Sequence, residues 1–447
     1  MKKLPMILIF LSGVLCLMFS SCSSGNLIRP ADSLLSPPLY YEEYADLVET
    51  FNKKVNTEVV MCHPKKGSYR SAIIVDDIDS DGESEAIIFY KKTEDSTVVR
   101  MHLLDSIDGR WISRNDFNGY GSAVESIIID DLDLDGVSEL IVSWDSSSGN
   151  ILSVYRASLK VGGYKEISNE NCALSELIDI DSDGRKELFF VSQTNVSGSP
   201  QRVAKAMRVS GDSVVLMGET RLDSNISGYS AVKTEKAFDS EPMRIYIDAL
   251  KGEQQMITEL IYWDSSKSEL CAPFLDPETM TNTVTLRHEP INCYDINNDG
   301  VIDIPVQSKI FGKGDNVLTI DTENIYLTEW IDYRSMEFNV VAYTLVNVSD
   351  GYMINLSKNE IDYLGIRNYR SQNCWIVYKS DSSGNSQGEM FSVLKIPTDK
   401  WNSKTYDAYI PIVRKDDGVV CVYITQTGKN FGINEELIKQ KISKTPS

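Results

Sequence analysis

The chain repeats one short acidic phrase four times, with oxygen-bearing side chains at alternate positions, then a glycine, and a further acid three residues later. The four sets of candidate ligands are Asp77, Asp79, Asp81 and Glu85; Asp131, Asp133, Asp135 and Glu139; Asp179, Asp181, Asp183 and Glu187; and Asp295, Asn297, Asp299 and Asp303. Alternating oxygen ligands followed by a glycine that permits a sharp turn are what a loop needs to wrap a hard cation. We therefore predict up to four Ca²⁺ sites.

The first copy illustrates the expected ligand shell. Its three aspartates could direct carboxylates to one centre, the backbone carbonyl of Glu83 would add an oxygen, and Glu85 would close the shell. That number of hard oxygen ligands suits calcium better than magnesium. An EF-hand starts in the same way, but its closing Glu lies at position 12 and its flanks are helices. Acidic surface turns without metal remain the alternative, strongest for the fourth copy, where Asn297 replaces a charged ligand.

The elements that must position these loops are strands. Apolar, β-branched runs precede and follow the loops, as at residues 72–75 and 86–90, and such runs bounded by turn residues predict strands. The interval between the third and fourth copies is about twice the earlier ones, which predicts a decayed copy in between. Residues 230–232 align with 71–73, and the ligand places are then taken by Lys236, Phe238, Ser240 and Arg244. We expect this copy to have kept the fold and lost the metal.

The phrase, its position between strands and its period resemble the FG-GAP/VCBS repeats of integrin-α-type β-propellers, over about residues 59–332. The resemblance implies a mainly β fold, a β-propeller of about five blades (six or seven remaining open), and a role in adhesion or ligand recognition. A strand candidate at residues 57–61 is expected to complete the last blade and close the ring.

The pattern of the chain divides it into four parts. Residues 41–338 are predicted to form the calcium-binding propeller with an N-terminal helix at 41–55, whose apolar residues fall on one face. After residue 338 the acidic phrase vanishes and the strand spacing changes, so residues 339–447 are predicted to form a small α+β domain. There, residues 415–418 read as a hairpin turn and Asn434 as the cap of a last helix.

The N-terminus has the pattern of a signal peptide. Lys2 and Lys3 precede an apolar run at residues 4–19, and two serines lead into Cys22. This resembles the lipobox of bacterial lipoproteins, which implies cleavage after residue 21, lipid on Cys22 and a tether at residues 22–40. The expected location is the extracytoplasmic face of a bacterial cell membrane. Ordinary secretion and a retained membrane anchor are the alternatives.

Composition restricts the partners. With 44 Lys and Arg against 65 Asp and Glu, the chain lacks the positive footprint that nucleic acid binding needs. Its three histidines lie in no Ser-His-Asp, zinc or HExxH context. We therefore expect a module that binds a protein or glycan partner rather than an enzyme. The alternatives are a calcium-dependent polysaccharide lyase or hydrolase, and a purely structural role in an envelope assembly.

Two cysteines in the C-terminal part, Cys374 and Cys421, lie in strand-like runs. A disulfide between them and a pair of buried free thiols are both open from the sequence.

Overall fold

The computed structural model describes residues 44–147, 149–157, 163–196, 199–236, 242–309, 325–334, 337–369, 374–381, 386–402 and 405–446. The predicted signal peptide, the tether and Cys22 lie outside these ranges, as do Phe238 and Ser240 of the decayed copy. Within them the protein is mainly β, and every strand pairing is antiparallel.

The first four sheets follow one another along the chain. Helix α1 (Ala45–Val55) leads into a sheet of β1 (Val59–Met61), β2 (Ile73–Asp76), β3 (Glu85–Lys92), β4 (Asp95–Ile107) and β5 (Arg110–Asn118). The second sheet holds β6 (Ala123–Asp130), β7 (Glu139–Ser146), β8 (Gly149–Ala157) and β9 (Tyr164–Cys172). The third holds β10 (Leu174–Ile178), β11 (Glu187–Val196), β12 (Ser199–Ser210) and β13 (Ser213–Arg221). The fourth holds β14 (Ile226–Glu235), β15 (Arg244–Lys251), β16 (Gln255–Asp264) and β17 (Glu269–Cys271).

Two further sheets complete the described part of the chain. The fifth joins β18 (Ile304–Lys309), β19 (Tyr326–Asp332), β20 (Asn339–Asn347) and β21 (Tyr352–Leu356), and its last strand arrives from the C-terminus. After α2 (Lys358–Ile361), the sixth holds β22 (Leu364–Tyr369), β23 (Cys374–Ser380), β24 (Ser386–Pro397), β25 (Tyr409–Lys415) and β26 (Gly418–Ile424). The chain then forms α3 (Gln426–Asn430), α4 (Glu435–Lys441) and β27 (Ile442–Lys444), which pairs with β21.

The predicted strands around the loops are confirmed, and each of the five repeat units corresponds to one sheet. In the first three units the acidic loop joins two neighbouring strands, β2 to β3, β6 to β7 and β10 to β11. In the fourth copy a single bridge between Tyr294 and Asp303 replaces the first strand. The decayed copy keeps its two strands, β14 and β15. The repeat therefore marks a structural unit as well as a candidate site.

Consecutive sheets share hydrophobic cores. Phe89 of the first sheet packs with Trp144 of the second, with ring centroids 6.0 Å apart. Buried clusters likewise join the second sheet to the third, the third to the fourth, the fourth to the fifth and the fifth to the sixth. The second to fifth sheets thus pack against a neighbouring sheet on both faces, which explains the nearly continuous apolar runs of their inner strands.

The strand at residues 57–61 does not join the last blade, so that expectation was wrong. β1 pairs instead with β3 of the first sheet, where Met61 lies opposite Tyr90, while β2 pairs with the other half of β3. β2 is too short to cover all of β3, and β1 satisfies the backbone groups that it leaves open. Helix α1 covers the face of this sheet that points away from the second sheet, through Leu47 and Phe51.

The fifth sheet runs across the position where the sequence analysis placed the start of a second domain. β18 and β19 precede residue 338, whereas β20, β21 and β27 follow it, and β19 pairs directly with β20. The local predictions for this region are confirmed. β25 and β26 form a hairpin in which Lys415 pairs with Gly418, and Asn434 caps α4 by accepting a 2.9 Å hydrogen bond from the Leu437 amide.

Cys374 and Cys421 are buried free thiols. Strand β24 separates them, because its Leu394 pairs with Cys374 on one side and with Cys421 on the other. Two strand spacings of about 4.8 Å place the Cα atoms well beyond the distance that a disulfide can bridge. The free-thiol alternative is therefore the one that the fold supports.

A buried polar network fastens the segment between β17 and β18, much of which is irregular, to the fourth sheet. The guanidinium of Arg287 is fully buried and pairs with Asp248 at 2.7 Å. It also donates to the hydroxyl of Thr258 at 2.9 Å. The second oxygen of Asp248 accepts a 2.9 Å hydrogen bond from the Cys293 amide. These contacts position the chain just before the fourth acidic loop begins at Asp295.

Candidate metal centres

The four acidic loops adopt one backbone conformation. The glycine at the sixth position has a φ of 90°, 92°, 93° and 86° at Gly82, Gly136, Gly184 and Gly300, respectively. The fourth position is also left-handed, with a φ of 60°, 58°, 63° and 59° at Ser80, Leu134, Ser182 and Asn298. Residues with a Cβ rarely adopt positive φ, so the sixth position, where φ is the larger of the two, favours glycine.

The acids of each loop use one oxygen to hold the loop together. In all four copies the first aspartate accepts a hydrogen bond from the glycine amide, at 2.8–3.2 Å. The aspartate at the fifth position accepts from the amide two residues further on, at 2.8–3.0 Å. The closing acid accepts from the amide of the second loop residue, at 2.7–3.0 Å. The other oxygen of the closing acid is thereby left for a cation or a cationic side chain.

Three of the loops gather acids closely enough to hold a metal ion. Carboxylate oxygens within 4.8 Å of one another come from Asp77, Asp79 and Glu85; Asp131, Asp133 and Glu139; and Asp179, Asp181 and Glu187. In the fourth loop the third position is an amide, and Asn297 donates to Asp299 at 3.1 Å. The predicted ligands at the fifth position of the first three loops, Asp81, Asp135 and Asp183, are not part of the clusters.

Each loop has a buried carboxylate oxygen without a hydrogen-bond partner, at Asp133 in the second and Asp179 in the third, but in the first and fourth loops the closing acid itself keeps one. Glu85 is 1% exposed, and its Oε1 makes no hydrogen bond; Oδ1 of Asp79 in the same loop is also buried and unpartnered. In the fourth loop the same holds for Oδ1 of Asp303, a residue with no exposed surface. Burying such an oxygen without a partner is costly. A bound cation would satisfy it, so the residues present fit a hard metal ion.

Two arginines that the sequence analysis did not single out enter the second and third loops. Arg156 contacts Asp133 at 2.8 Å and Glu139 at 2.8 Å, and it also pairs with Asp135. In the third loop Arg208 makes the corresponding contacts, at 2.9 Å to Asp181, 3.0 Å to Asp183 and 2.5 Å to Glu187. Neither the phrase nor its spacing signals these arginines, because they lie one strand further along.

The decayed copy also provides its own cation. Arg244 stands at the place of the closing acid and pairs with Glu235 at 3.2 Å. The hydroxyl of Tyr246 donates to the same carboxylate at 2.9 Å. Lys236 is exposed. The prediction that this copy keeps its strands is confirmed. The guanidinium of Arg244 takes the place of the missing closing acid.

The closing acids make the stability of the metal-free protein depend on pH. Burial raises the pKa of Glu85, Glu139 and Asp303 to about 7. In the folded state these groups hold protons that the unfolded chain has already released, so their contribution is greatest below about pH 4 and is lost as the pH rises through 7. With excess EDTA we expect the melting temperature to fall between pH 5 and pH 8.

Differential scanning fluorimetry at fixed ionic strength measures this effect. A metal ion that displaces the protons should flatten the decline, and the comparison with and without chelator isolates the loops from other buried acids such as Glu289, whose pKa burial also raises to about 7. A melting temperature that rises from pH 5 to pH 8 in EDTA would contradict the prediction.

Comparisons with known proteins leave the family open. No protein-family model matches the chain, and neither does any curated protein. Similar solved structures include the exotype rhamnogalacturonan lyase YesX (9% identity over 74% of this chain and 73% of that chain, TM-score 0.30). They also include Sqt1 from Chaetomium thermophilum (8%, 77% and 93%, 0.30) and a rhamnogalacturonan lyase from Bacillus licheniformis (8%, 74% and 77%, 0.27). At these identities and TM-scores the likenesses carry no argument about function.

The helices of the described residues were also compared with the length and hydropathy that a membrane span needs. None of them is long and apolar enough to cross a bilayer.

Proposed function

We propose that this chain is a calcium-stabilised β-propeller protein, held outside a bacterial cell by lipid on Cys22, that binds a protein or glycan partner. The shared geometry of the four loops carries the proposal. Each closing acid commits one oxygen to the loop backbone, and in the first loop the other oxygen is buried without a partner. Acids held in this way serve the loop rather than a substrate, and calcium is the cation that such oxygen-rich extracellular loops bind.

The arrangement of the sheets supports the propeller. The first four are consecutive antiparallel meanders, and neighbouring sheets pack face to face through shared cores, as blades do. Helix α1 covers the outer face of the first sheet, where another blade would pack in a fully regular ring. The first five sheets, one for each repeat unit, are the proposed blades. The sixth sheet packs against the fifth through a shared hydrophobic core.

A row of aromatic side chains on the sixth sheet supports a role in binding. Trp401 and Tyr406 stack with their rings 7° from parallel and 5.8 Å apart. Tyr406 contacts Tyr409, which in turn contacts Tyr423, with centroids 5.6 and 5.4 Å apart. Tyr423 is 39% exposed, and the guanidinium of Arg414 lies over Trp401. Partly exposed aromatic rings with a polar edge are suited to contact sugars or a protein surface.

The lyase or hydrolase alternative needs a general acid and base, and the conspicuous acids of this chain do not offer such a pair. The loop carboxylates accept hydrogen bonds from backbone amides, and in the second, third and fourth loops one or more of them also pair with arginine. The raised pKa values of the four closing acids follow from burial within the loop.

Binding is tested with glycan arrays and envelope pull-downs, using the protein with Cys22 replaced by Ala, in calcium and in EDTA. We expect capture in calcium, a clear loss with Trp401→Ala or Tyr423→Ala, and no change with Tyr363→Ala, an exposed tyrosine away from the row. Turnover of a polysaccharide into unsaturated or reducing ends would favour the enzyme instead.

The lipid anchor is tested by labelled palmitate, which should be incorporated into the native chain and not into the Cys22→Ala variant.

A further inference from the structure

The residue that faces the closing acid differs between the loops. Strand register places Glu139 directly opposite Arg156 of β8, and Glu85 directly opposite Asp105 of β4. In the third sheet Leu188 pairs with Met207, which puts Arg208 opposite Glu187. In the fifth sheet Ile304 pairs with Ile331, which puts Asp332 opposite Asp303. The position is thus arginine in the second and third loops and aspartate in the first and fourth.

In the second and third loops the guanidinium already fills the place of a metal ion. Arg156 bonds to the closing acid and to the acids at the third and fifth positions, so it contacts three of the four predicted ligands. Arg208 does the same in its loop. An ion bound to the same oxygens would meet a like charge at close range, and the two cations exclude each other.

The second loop is also closed by the neighbouring sheet. The turn after β12 donates the Gly211 amide to Asp133 at 2.8 Å, and its carbonyl accepts from Arg156 at 3.2 Å. Both oxygens of Glu139 have partners, the Leu132 amide and Arg156. The closing acid of this loop is therefore fully paired without metal, although Oδ1 of Asp133 is buried without a hydrogen-bond partner.

In the first and fourth loops the charge opposite the closing acid is negative. Asp105 pairs with Arg114 at 2.7 Å, and Asp332 pairs with Arg334. Arg334 also contacts one predicted ligand of the fourth loop, Asp299, at 2.7 Å. No hydrogen bond is found between either arginine and the closing acid among the described residues. The closing acids Glu85 and Asp303 accordingly keep a buried, unpartnered oxygen, and Oδ1 of Asp332 is unpartnered as well. In these two loops a divalent cation would satisfy the free oxygen of the closing acid. The acids of the fourth loop do not lie within 4.8 Å of one another as those of the first loop do, so its oxygens would have to draw together around the ion.

We propose that Arg156 and Arg208 are built-in cations that replace the metal in the second and third loops, so that the chain binds two calcium ions, at the first and fourth loops. This inference rests on the proposed calcium function and refines it. The negative charge of the acidic loop is then balanced in two ways, by an ion in the first and fourth loops and by an arginine from the third strand of the sheet in the second and third. In the decayed copy the closing acid is itself replaced, by Arg244.

Equilibrium dialysis of ⁴⁵Ca²⁺ against the full-length chain in mild detergent tests the inference. We expect two ions per chain. Arg156→Met and Arg208→Met should each add one ion, whereas Arg185→Met, an exposed arginine of the third loop, removes the same charge and should leave two. Three or four ions in the native chain, or no gain with either inner arginine removed from a folded chain, overturns the inference while leaving calcium binding itself in place.

A second pair of variants keeps the test decisive if the arginine variants do not fold. Glu85→Gln should reduce the count from two ions to one, whereas Glu139→Gln, the matched change in the second loop, should leave it at two. A lost ion with Glu139→Gln, or no loss with Glu85→Gln, overturns the division of the loops. No ion at all in the native chain would instead overturn the proposed calcium function, so the two failures are distinguishable.

Discussion

Replacing Arg287 with methionine is expected to lower the free energy of unfolding by about 3–5 kcal/mol. The guanidinium is fully buried beside Asp248, and its removal leaves that carboxylate buried with no opposite charge at the site. The penalty arises chiefly from the stranded charge, because a well-formed buried pair itself contributes little beyond its own desolvation cost. Urea unfolding followed by tryptophan fluorescence measures the loss.

The paired variant separates the stranded charge from lost packing. Arg287→Met combined with Asp248→Asn should recover a substantial part of the loss, since the carboxylate is then neutral. Arg221→Met, at an exposed position of β13, is the control and should change stability by less than about 0.5 kcal/mol. A loss below about 1 kcal/mol in Arg287→Met would mean that the network does not hold the segment before the fourth loop.

Replacing Phe51 with alanine is expected to cost about 3–5 kcal/mol as well. Phe51 is 1% exposed and meets Tyr90 and His102 edge to face, with ring centroids 5.1 and 5.3 Å apart. Helix α1 closes one face of the first sheet through this ring, so its loss opens a cavity against the strand that follows the first acidic loop. Thermal and urea unfolding both report the effect.

Asn52→Ala is the matched control, because Asn52 neighbours Phe51 on α1 but points to solvent. It should leave the unfolding midpoint nearly unchanged. An equally small effect of Phe51→Ala would show that α1 is not part of the core of the first sheet.

The features that the sequence predicts best are local. The acids, the turn glycine and the flanking apolar runs of the first copy all lie between residues 72 and 90, so their types and spacing determine the loop directly. The cap at Asn434 and the hairpin at 415–418 are local in the same sense. These predictions match the structure because short-range sterics and hydrogen bonding decide them.

The features that the sequence does not predict depend on pairing between distant strands. Asp105 follows Glu85 by 20 residues, whereas Asp332 follows Asp303 by 29, since the hairpins differ in length. No fixed spacing therefore identifies the residue opposite the closing acid. The pairing of β1 with β3, and of β27 with β21, has the same origin, because edge strands join whichever partner the packed sheets leave open.

The most direct measurement is the melting temperature of the native chain in 10 mM Ca²⁺ and in excess EDTA, at one pH and ionic strength. With dissociation constants of about 10⁻⁴–10⁻³ M, each ion bound to the folded state alone adds about 1.4–2.7 kcal/mol of stability. We predict a clearly higher melting temperature in calcium, with magnesium at the same concentration giving a much smaller shift. Melting curves that coincide in calcium and EDTA would contradict a calcium-stabilised fold.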